Sequence, residues 1–97
     1  MVEKVGTAID LPFTGTLYRD ESIGGWTIVD VPGSDEVLGT RKAVKVGGSI
    51  DGHPFNVTLM PSGKGPHLMP INTALRKRIG KDQTGSEVTV HLTERFT

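Results

Sequence analysis

The sequence predicts a mainly β fold with one short α-helix near residues 72–79. Thirteen glycines and six prolines among only 97 residues provide many turns. Short runs of alternating apolar and polar residues lie between these turns, as expected for half-buried strands. A chain of this length can bury one modest core, so we expect a single domain over residues 1–97. Residues 1–11 are expected to form a loosely ordered N-terminal extension.

The first two strands are predicted from residues 12–18 and 26–31. The first segment, PFTGTLY, alternates and places its apolar residues on one face, and a polar turn follows it. The second segment, WTIVDV, is apolar on both faces, which indicates a strand that is enclosed on two sides. A Pro-Gly-Ser-Asp turn at residues 32–35 ends this strand.

The strongest local signal is a β-hairpin over residues 41–60. Asp51-Gly52 separates two alternating runs, and this dipeptide favours the two-residue type I′ turn. Such a turn sets the register, and the expected pairs are Ile50 with His53, Gly48 with Phe55, Val46 with Val57, and Val44 with Leu59. Gly48 is expected to leave room for the Phe55 ring. The polar face of the hairpin carries Lys45, Ser49, Asn56 and Thr58.

A short strand, a helix and a last strand complete the predicted fold. Residues 67–70 form the short strand, and Asn72 is a suitable cap for the helix that follows. Gly80 is the expected left-handed end of that helix. The apolar residues of the helix recur every four positions, at Ile71, Leu75 and Ile79. The inward-facing residues of the last strand are Val88, Val90 and Leu92.

The charge balance argues against several classes of partner. Eleven basic and eleven acidic residues give a formal net charge of zero. We therefore expect no strong electrostatic attraction to nucleic acid or to an anionic membrane. No apolar run approaches the ~20 residues that a membrane-spanning helix needs. The absence of cysteine excludes disulfides and a thiol nucleophile, and it fits the cytoplasmic location that we expect.

A glycine-rich loop, Ser62-Gly63-Lys64-Gly65, is the first candidate site. In a phosphate-binding P-loop, the lysine is followed by Ser or Thr and then by a helix. Here Gly65 and Pro66 follow Lys64 and lead into a strand-like segment, so no helix N-terminus points into the loop. A P-loop is therefore excluded. Two interpretations are left: a flexible turn between strands, or the rim of a binding site on a rigid scaffold.

Single polar residues near this loop give weaker signals. His53, His67 and His91 are far apart in the chain, and without cysteine they predict no metal site. His67 adjoins the loop, and it is either a hydrogen-bonded structural residue or a general base. Arg41, at the start of the hairpin, is either a solvated charge or an anchor for a ligand carboxylate or phosphate.

Trp26 and Arg76 complete the set of candidate residues. Trp26 is the only tryptophan, and the simplest expectation is that it packs in the core or at a barrel edge. Arg76 belongs to a basic group at the end of the helix, where positive charge is favoured. This group contains no aromatic residue on which a nucleic-acid base could stack.

Several segments together resemble a small bacterial family of unknown function. The similar stretches are FTGTLYRD, GGWTIVDVPG, LGTRKAVKVGGSIDGHPF, LMPSGKGPHLMPI, ALRKRIGK and EVTVHLTER, which span residues 13–95. In that family the domain is often fused to a bacteriocin-protection domain of the YdeI/OmdA type. The resemblance implies a small double-split β-barrel, closed at one end by the short helix, and supplies no catalytic residues. Members usually carry Gly-Asp before the last strand, where this chain has Gly85-Ser86-Glu87.

The segment LMPINTALRKRIGKDQTGSEVTV also resembles the strand-Pro-helix-Gly-strand core of AbrB-type transcription factors and antitoxins. The shared positions are Pro70, Leu75, Arg76, Gly80, Gly85 and Val88. Those proteins bind DNA as interlocked dimers through basic loops. This chain lacks their short, strongly basic hairpin, and a shared scaffold does not imply a shared function.

The leading hypothesis is a cytoplasmic binding module that takes a small ligand or a peptide at the mouth of the barrel. The residues expected to bind it are Trp26, Arg41, Ser62, Gly63, Lys64, Gly65, His67 and Arg76. Two alternatives stay open: an AbrB-like nucleic-acid-binding protein, and a small enzyme that uses His67 as a general acid or base. We expect no cofactor, no metal and no membrane partner, and a monomer or a weak homodimer.

Overall fold

The computed structural model describes residues 6–21, 24–81 and 83–97. In chain order, the elements are β1 (Thr7–Thr16), β2 (Tyr18–Asp20), β3 (Trp26–Val31), α1 (Ser34–Leu38), β4 (Val44–Ile50), β5 (His53–Leu59), β6 (His67–Pro70), α2 (Thr73–Ile79) and β7 (Glu87–Arg95).

The strands form two antiparallel sheets. The first sheet has the order β1-β7-β4-β5, and the second has the order β2-β3-β6. A bridge between Met60 and Leu68 joins the end of β5 to β6. Buried aliphatic side chains from both sheets, such as Val46, Leu59 and Met69, fill the interior. The predicted mainly β class with a short helix is confirmed.

The first strand is longer than predicted. It begins at Thr7, because its N-terminal half pairs with β7 as far as Arg95. Residues 7–11 therefore belong to the first sheet and not to a loose extension, whereas residues 1–5 lie outside the described part of the chain. The polar segment after Leu17 is also not simply a turn, because β2 pairs with β3 from Tyr18 to Asp20.

The one-turn helix α1 was not predicted. Residues 32–35 read as a turn, but the helix spans five residues between Gly33 and Gly39, both in the left-handed conformation with φ values of 72° and 68°. A single helical turn is too short to show the periodicity by which helices are detected. The strand after it starts only at Val44, so Arg41 lies in the loop before the hairpin and not in its first strand.

The hairpin of β4 and β5 has the predicted register and turn. Asp51 and Gly52 both have positive φ, at 48° and 83°, as a type I′ turn requires. Asp51 also ties the turn to its surroundings. Its Oδ1 accepts from the Thr89 N–H at 2.9 Å, and its Oδ2 lies 2.6 Å from the Lys81 Nζ. The tip of the hairpin is thus held against β7 and the end of α2.

Gly48 faces Phe55 as predicted, but the reason for a glycine there is different. A Cβ at this position would overlap the carbonyl oxygen of His91 and would lie 2.8 Å from the Cα of Leu92. The register between β4 and β7 shifts at this point. The backbone of β7, and not the Phe55 ring, therefore requires the missing side chain.

The helix α2 matches its prediction. The Asn72 side chain accepts from the Leu75 N–H at 2.8 Å, and Gly80 ends the helix with a φ of 73°. Leu75 and Ile71 are buried, and Ile79 packs partly buried against the core. Within the described ranges, no helix is long and apolar enough to cross a membrane.

We expect Gly48→Ala to lower the free energy of unfolding by about 3 kcal/mol, because a Cβ there meets rigid backbone. Gly47→Ala is the matched control. Its Cβ meets the Asn56 amide at 2.6 Å and the Phe96 ring at 3.1 Å, and these side chains can move, so we expect a loss of about 1 kcal/mol or less. Urea denaturation measures both. Equal losses would contradict the packing of β4 on β7.

The ion pair of Asp51 predicts a pH-dependent stability. Burial by itself raises the pKa of Asp51, but the bonds from Lys81 and Thr89 and the nearby charges outweigh it, so the pKa is lowered. A carboxyl group whose pKa is lower in the folded state stabilises the fold at pH values above its pKa in the unfolded state, which is about 3.9. This stabilisation is lost as the pH falls through the pKa of the folded state.

Asp51→Asn tests this effect, because Asn-Gly keeps the type I′ turn. We expect the variant to be less stable than the natural chain by about 1 kcal/mol near neutral pH. The difference should vanish in acid, where the natural carboxyl is also protonated. Urea denaturation over that pH range measures it, and a pH-independent difference would contradict the ion pair.

Candidate ligand-binding groove

The strands β5 and β6 are joined by one bridge and separate at the residues next to it. Met60 and Leu68 exchange two backbone hydrogen bonds, each 2.8 Å long. Continuing this antiparallel register would place Thr58 opposite Pro70. Proline has no N–H, so the ladder cannot continue with its usual pair of bonds. At Asn72 the chain already enters α2. The two strands therefore diverge.

A groove of about 860 Å³ lies where the strands diverge. One wall is formed by β5, through Val57 and Thr58, and the other by Pro70 and the start of α2. Val46 and Ile71, which are almost completely buried, contribute its apolar floor. The volume is within the range of about 300–1,000 Å³ that is usual for ligand sites.

The charged residues that line the groove are Arg19, Lys45 and Arg76, and all three are cations. The lining residues that the structure describes include no carboxylate, histidine or cysteine. Arg76 is held in place by two donations, from Nη1 to the Ile71 carbonyl oxygen at 2.6 Å and from Nη2 to the Thr73 Oγ1 at 3.1 Å. Although the chain has no net charge, every charged side chain in the described lining of this groove is a cation.

Two aromatic side chains lie at the groove, Trp26 and Phe96. Trp26 is the first residue of β3, and it is 50% exposed, which is unusual for so large an apolar side chain. Phe96 follows β7, and its backbone N–H donates to the Lys45 carbonyl oxygen at 2.8 Å, which holds the ring beside β4. The groove thus combines aromatic surface with positive charge.

Residues 13–92 match a domain of unknown function, DUF1905. This protein is a member of the DUF1905 family. The comparison with curated proteins finds no match to the chain. The family assignment agrees with the resemblance to a family of unknown function that the sequence showed.

In this DUF1905 domain, two of the eight predicted ligand-binding residues line the groove, namely Trp26 and Arg76. The remaining six do not line it; they are Arg41, Ser62, Gly63, Lys64, Gly65 and His67. Arg41 is exposed in the loop after α1. A second groove, of about 490 Å³ between β4, β5 and the end of β7, is not lined by any of the eight.

The glycine-rich loop folds on itself and on α1. The Ser62 hydroxyl donates to the Pro66 carbonyl oxygen at 2.5 Å and accepts from the Lys64 N–H at 3.1 Å. Gly65 is buried with a φ of 116°, and a Cβ on it would lie 3.0 Å from an oxygen of Asp35. These contacts are those of a folded turn. The turn lies at the opposite end of β6 from the groove.

His67 is completely buried and fully hydrogen-bonded. Its backbone N–H donates to the Ser34 Oγ at 2.7 Å, and its Nδ1 lies 2.8 Å from the same atom. Its Nε2 lies 2.7 Å from the carbonyl oxygen of Lys42, which can only accept, so Nε2 carries a hydrogen. In the neutral ring, Nδ1 accepts from the Ser34 hydroxyl. Of the two interpretations of His67, this geometry favours the structural one.

Tyr18 and His91 are two further titratable residues, and they do not line the groove. Burial, together with the hydrogen bond from its hydroxyl to Asp30 at 2.6 Å, raises the pKa of Tyr18 to about 12. Tyr18 is therefore a neutral hydrogen-bond donor at physiological pH. His91 is exposed and lies 2.6 Å from the Asp10 carboxylate. The described residues contain no group of three or more His, Cys, Asp or Glu side chains that could hold a metal ion.

Three residues of the groove were not predicted from the sequence as site residues, namely Lys45, Thr58 and Phe96. A signal for the first two was present, because the hairpin register places them on one polar face. That register does not reveal which part of the face borders another element. The position of Phe96 depends on the pairing of the chain end with β4, for which the sequence carries no local signal.

We expect His67→Ala to lower the free energy of unfolding by about 2–4 kcal/mol, because it removes the ring acceptor of the buried Ser34 hydroxyl hydrogen and the ring donor to the Lys42 carbonyl oxygen. The control is Lys64→Ala in the exposed loop, for which we expect a change of about 0.5 kcal/mol or less. Thermal and urea denaturation measure both. A fully stable His67→Ala variant would contradict the structural role.

Proposed function

We propose that this protein is a binding module whose groove takes an anionic ligand with an apolar or aromatic part. The observation that carries this proposal is the combination of three cationic side chains and a half-exposed tryptophan around one groove. Cations attract a carboxylate or phosphate, and the face of an aromatic ring contacts the apolar part.

The charge distribution supports an anionic ligand. Lys45 is exposed, and the described residues provide no carboxylate partner for it. Among the described residues, Arg19 forms a long ion pair of 3.6 Å with Glu21, and both side chains are largely exposed. Such an exposed pair is worth little, so Arg19 can turn to a ligand at small cost. Low-dielectric walls around the groove strengthen the attraction.

The rival functions receive less support from the groove. A general acid or base must reach the substrate, but the lining described above contains no histidine or carboxylate, and His67 is buried elsewhere. DNA binding in the AbrB manner would use an extended basic surface, whereas these cations are gathered in one groove.

We further propose an AbrB-like double-split arrangement of the barrel and a cytoplasmic location. The first rests on the sequence resemblance and agrees with two sheets that part between β5 and β6. The second rests on the absence of cysteine. The fusion to a YdeI/OmdA-type domain in relatives is an expectation from the resemblance alone.

Titration with small probes tests the binding function. Trp26 is the only tryptophan, so its fluorescence reports on the groove directly. We expect phenylacetate and phenyl phosphate to change this fluorescence and to raise the melting temperature, and neutral phenylacetamide to do so far more weakly. Raising the ionic strength should weaken the binding of the anions, because exposed charges are screened.

A matched pair of lysine variants provides the control for the titration. Lys45→Gln should weaken binding of the anionic probes about fivefold, which corresponds to about 1 kcal/mol. Lys64→Gln removes the same charge from the exposed loop outside the groove and should change nothing. Equal binding of phenylacetate and phenylacetamide, or equal effects of the two variants, would overturn the proposed function.

A further inference from the structure

The edge of the first sheet is formed by β5, and its backbone hydrogen bonds follow from the hairpin turn. In a two-residue hairpin, the residues that flank the turn form a hydrogen-bonded pair, and the pairs then alternate. Ile50 and His53 are that first pair. The N–H and C=O groups of Phe55, Val57 and Leu59 therefore face β4. Those of the intervening residues point away from β4.

The bridge at the end of β5 agrees with this alternation. Met60 is the next outward-facing residue, and its N–H and C=O both bond to Leu68 of the second sheet. Pro54 occupies another outward-facing position, where its missing N–H removes no bond to β4. Between them, Asn56 and Thr58 present N–H and C=O groups for which the described residues provide no backbone partner. Both residues line the groove.

The opposite wall of the groove cannot supply backbone partners for Asn56 and Thr58. Ile71 turns its N–H to β3, where it donates to the Thr27 carbonyl oxygen at 2.9 Å. Pro70 faces the groove, with a carbonyl oxygen but no N–H. The groove is therefore a slot with unpaired donors and acceptors on β5 and a single acceptor on β6. An extended chain segment that pairs with β5 would satisfy these groups by strand addition.

The two faces of the hairpin indicate the side chains of such a segment. Lys45 pairs with Thr58, so both lie on one face of the sheet, and Val46 pairs with Val57 on the other. An added strand continues these faces, because successive side chains alternate. Residues on the first face lie beside Thr58, within reach of the long Lys45 side chain, and residues on the second lie beside the half-buried Val57. Arg19 and Arg76 add positive charge to the groove.

We propose that the groove takes an extended peptide with alternating acidic and apolar side chains, bound as an additional strand on the edge of β5. This inference rests on the proposed function, because it names the class of the anionic ligand. A second copy of this chain is the less suitable occupant. Pairing β5 with its own copy would bring two Lys45 side chains onto one small interface, where like charges repel.

The probe is an acetylated and amidated hexapeptide of alternating Glu and Val, titrated against Trp26 fluorescence. The same peptide with Lys in place of Glu is the charge control, and it should bind at least about tenfold more weakly. Lys45→Glu should reduce or reverse this preference, whereas Lys64→Glu, in the loop outside the groove, should leave it unchanged. If Lys45→Glu leaves the preference for the Glu peptide unchanged, the acidic side chains do not lie on the Lys45 face of the sheet, and this assignment is overturned.

Backbone pairing is tested with two N-methylated forms of the Glu/Val peptide. One carries methyl groups on the Glu nitrogens and the other on the Val nitrogens, so charge and composition match. Only one set of N–H groups faces β5, and we expect that methylation of this set weakens binding about tenfold or more. Loss with methylated Glu indicates an antiparallel added strand, and loss with methylated Val a parallel one. Unchanged binding of both forms would overturn strand addition.

Amide hydrogen exchange measured by NMR locates the added strand. We expect the peptide to slow exchange of the Asn56 and Thr58 amides about tenfold or more. The Val57 amide, which already bonds to β4, and the Lys64 amide, in the loop, serve as controls and should not change. Protection of Asn56 and Thr58 without peptide, together with a dimer in sedimentation, would show that a second copy occupies the edge and would overturn the proposal.

The outcomes separate this inference from the proposed function. If phenylacetate and phenyl phosphate bind but the peptide binds no more tightly than they do and protects no amide of β5, strand addition fails and the anion-binding groove stands. If none of the anionic probes binds, both fail.

Discussion

The groove depends on the point at which backbone pairing between β5 and β6 stops. Met60 and Leu68 exchange both of their backbone bonds, and the next pair of the same ladder would need an N–H from Pro70. Because proline has none, continuing the ladder would leave a polar group of Thr58 without its bond in a half-buried position. Separation of the strands leaves these groups accessible to water or to a ligand.

Several polar contacts hold the walls of this opening in place. Asp51 fixes the tip of the hairpin that carries β5, through Thr89 and Lys81. Arg76 binds the Ile71 carbonyl oxygen and thereby fixes its own guanidinium at the groove. Farther along β6, His67 joins α1 and the loop before β4 through Ser34 and Lys42. A site with rigid walls loses less conformational entropy on binding, which favours affinity.

The position of the charges matters more here than their sum. A net charge of zero argues against strong general attraction to polyanions, yet it is compatible with a local cluster of cations. Three basic side chains at one groove form such a cluster. Conversely, the glycine-rich loop and His67 have the residue types of a chemical site, but their contacts are those of a folded turn and a buried hydrogen-bond network. Residue type alone therefore did not distinguish a site from a structural element.

The sequence by itself determined the features that depend on neighbouring residues. The type I′ turn at Asp51-Gly52, the register of the hairpin, and the cap and end of α2 all follow from interactions within a few residues. The same local patterns predicted β3 and β6 with their observed bounds. Only the tertiary structure decided the burial of His67, whose partner Ser34 is 33 positions away, and the meeting of Trp26, Lys45 and Pro70 at one groove. Such contacts depend on how the sheets diverge and pack. No local pattern of side chains encodes which distant residues come into contact.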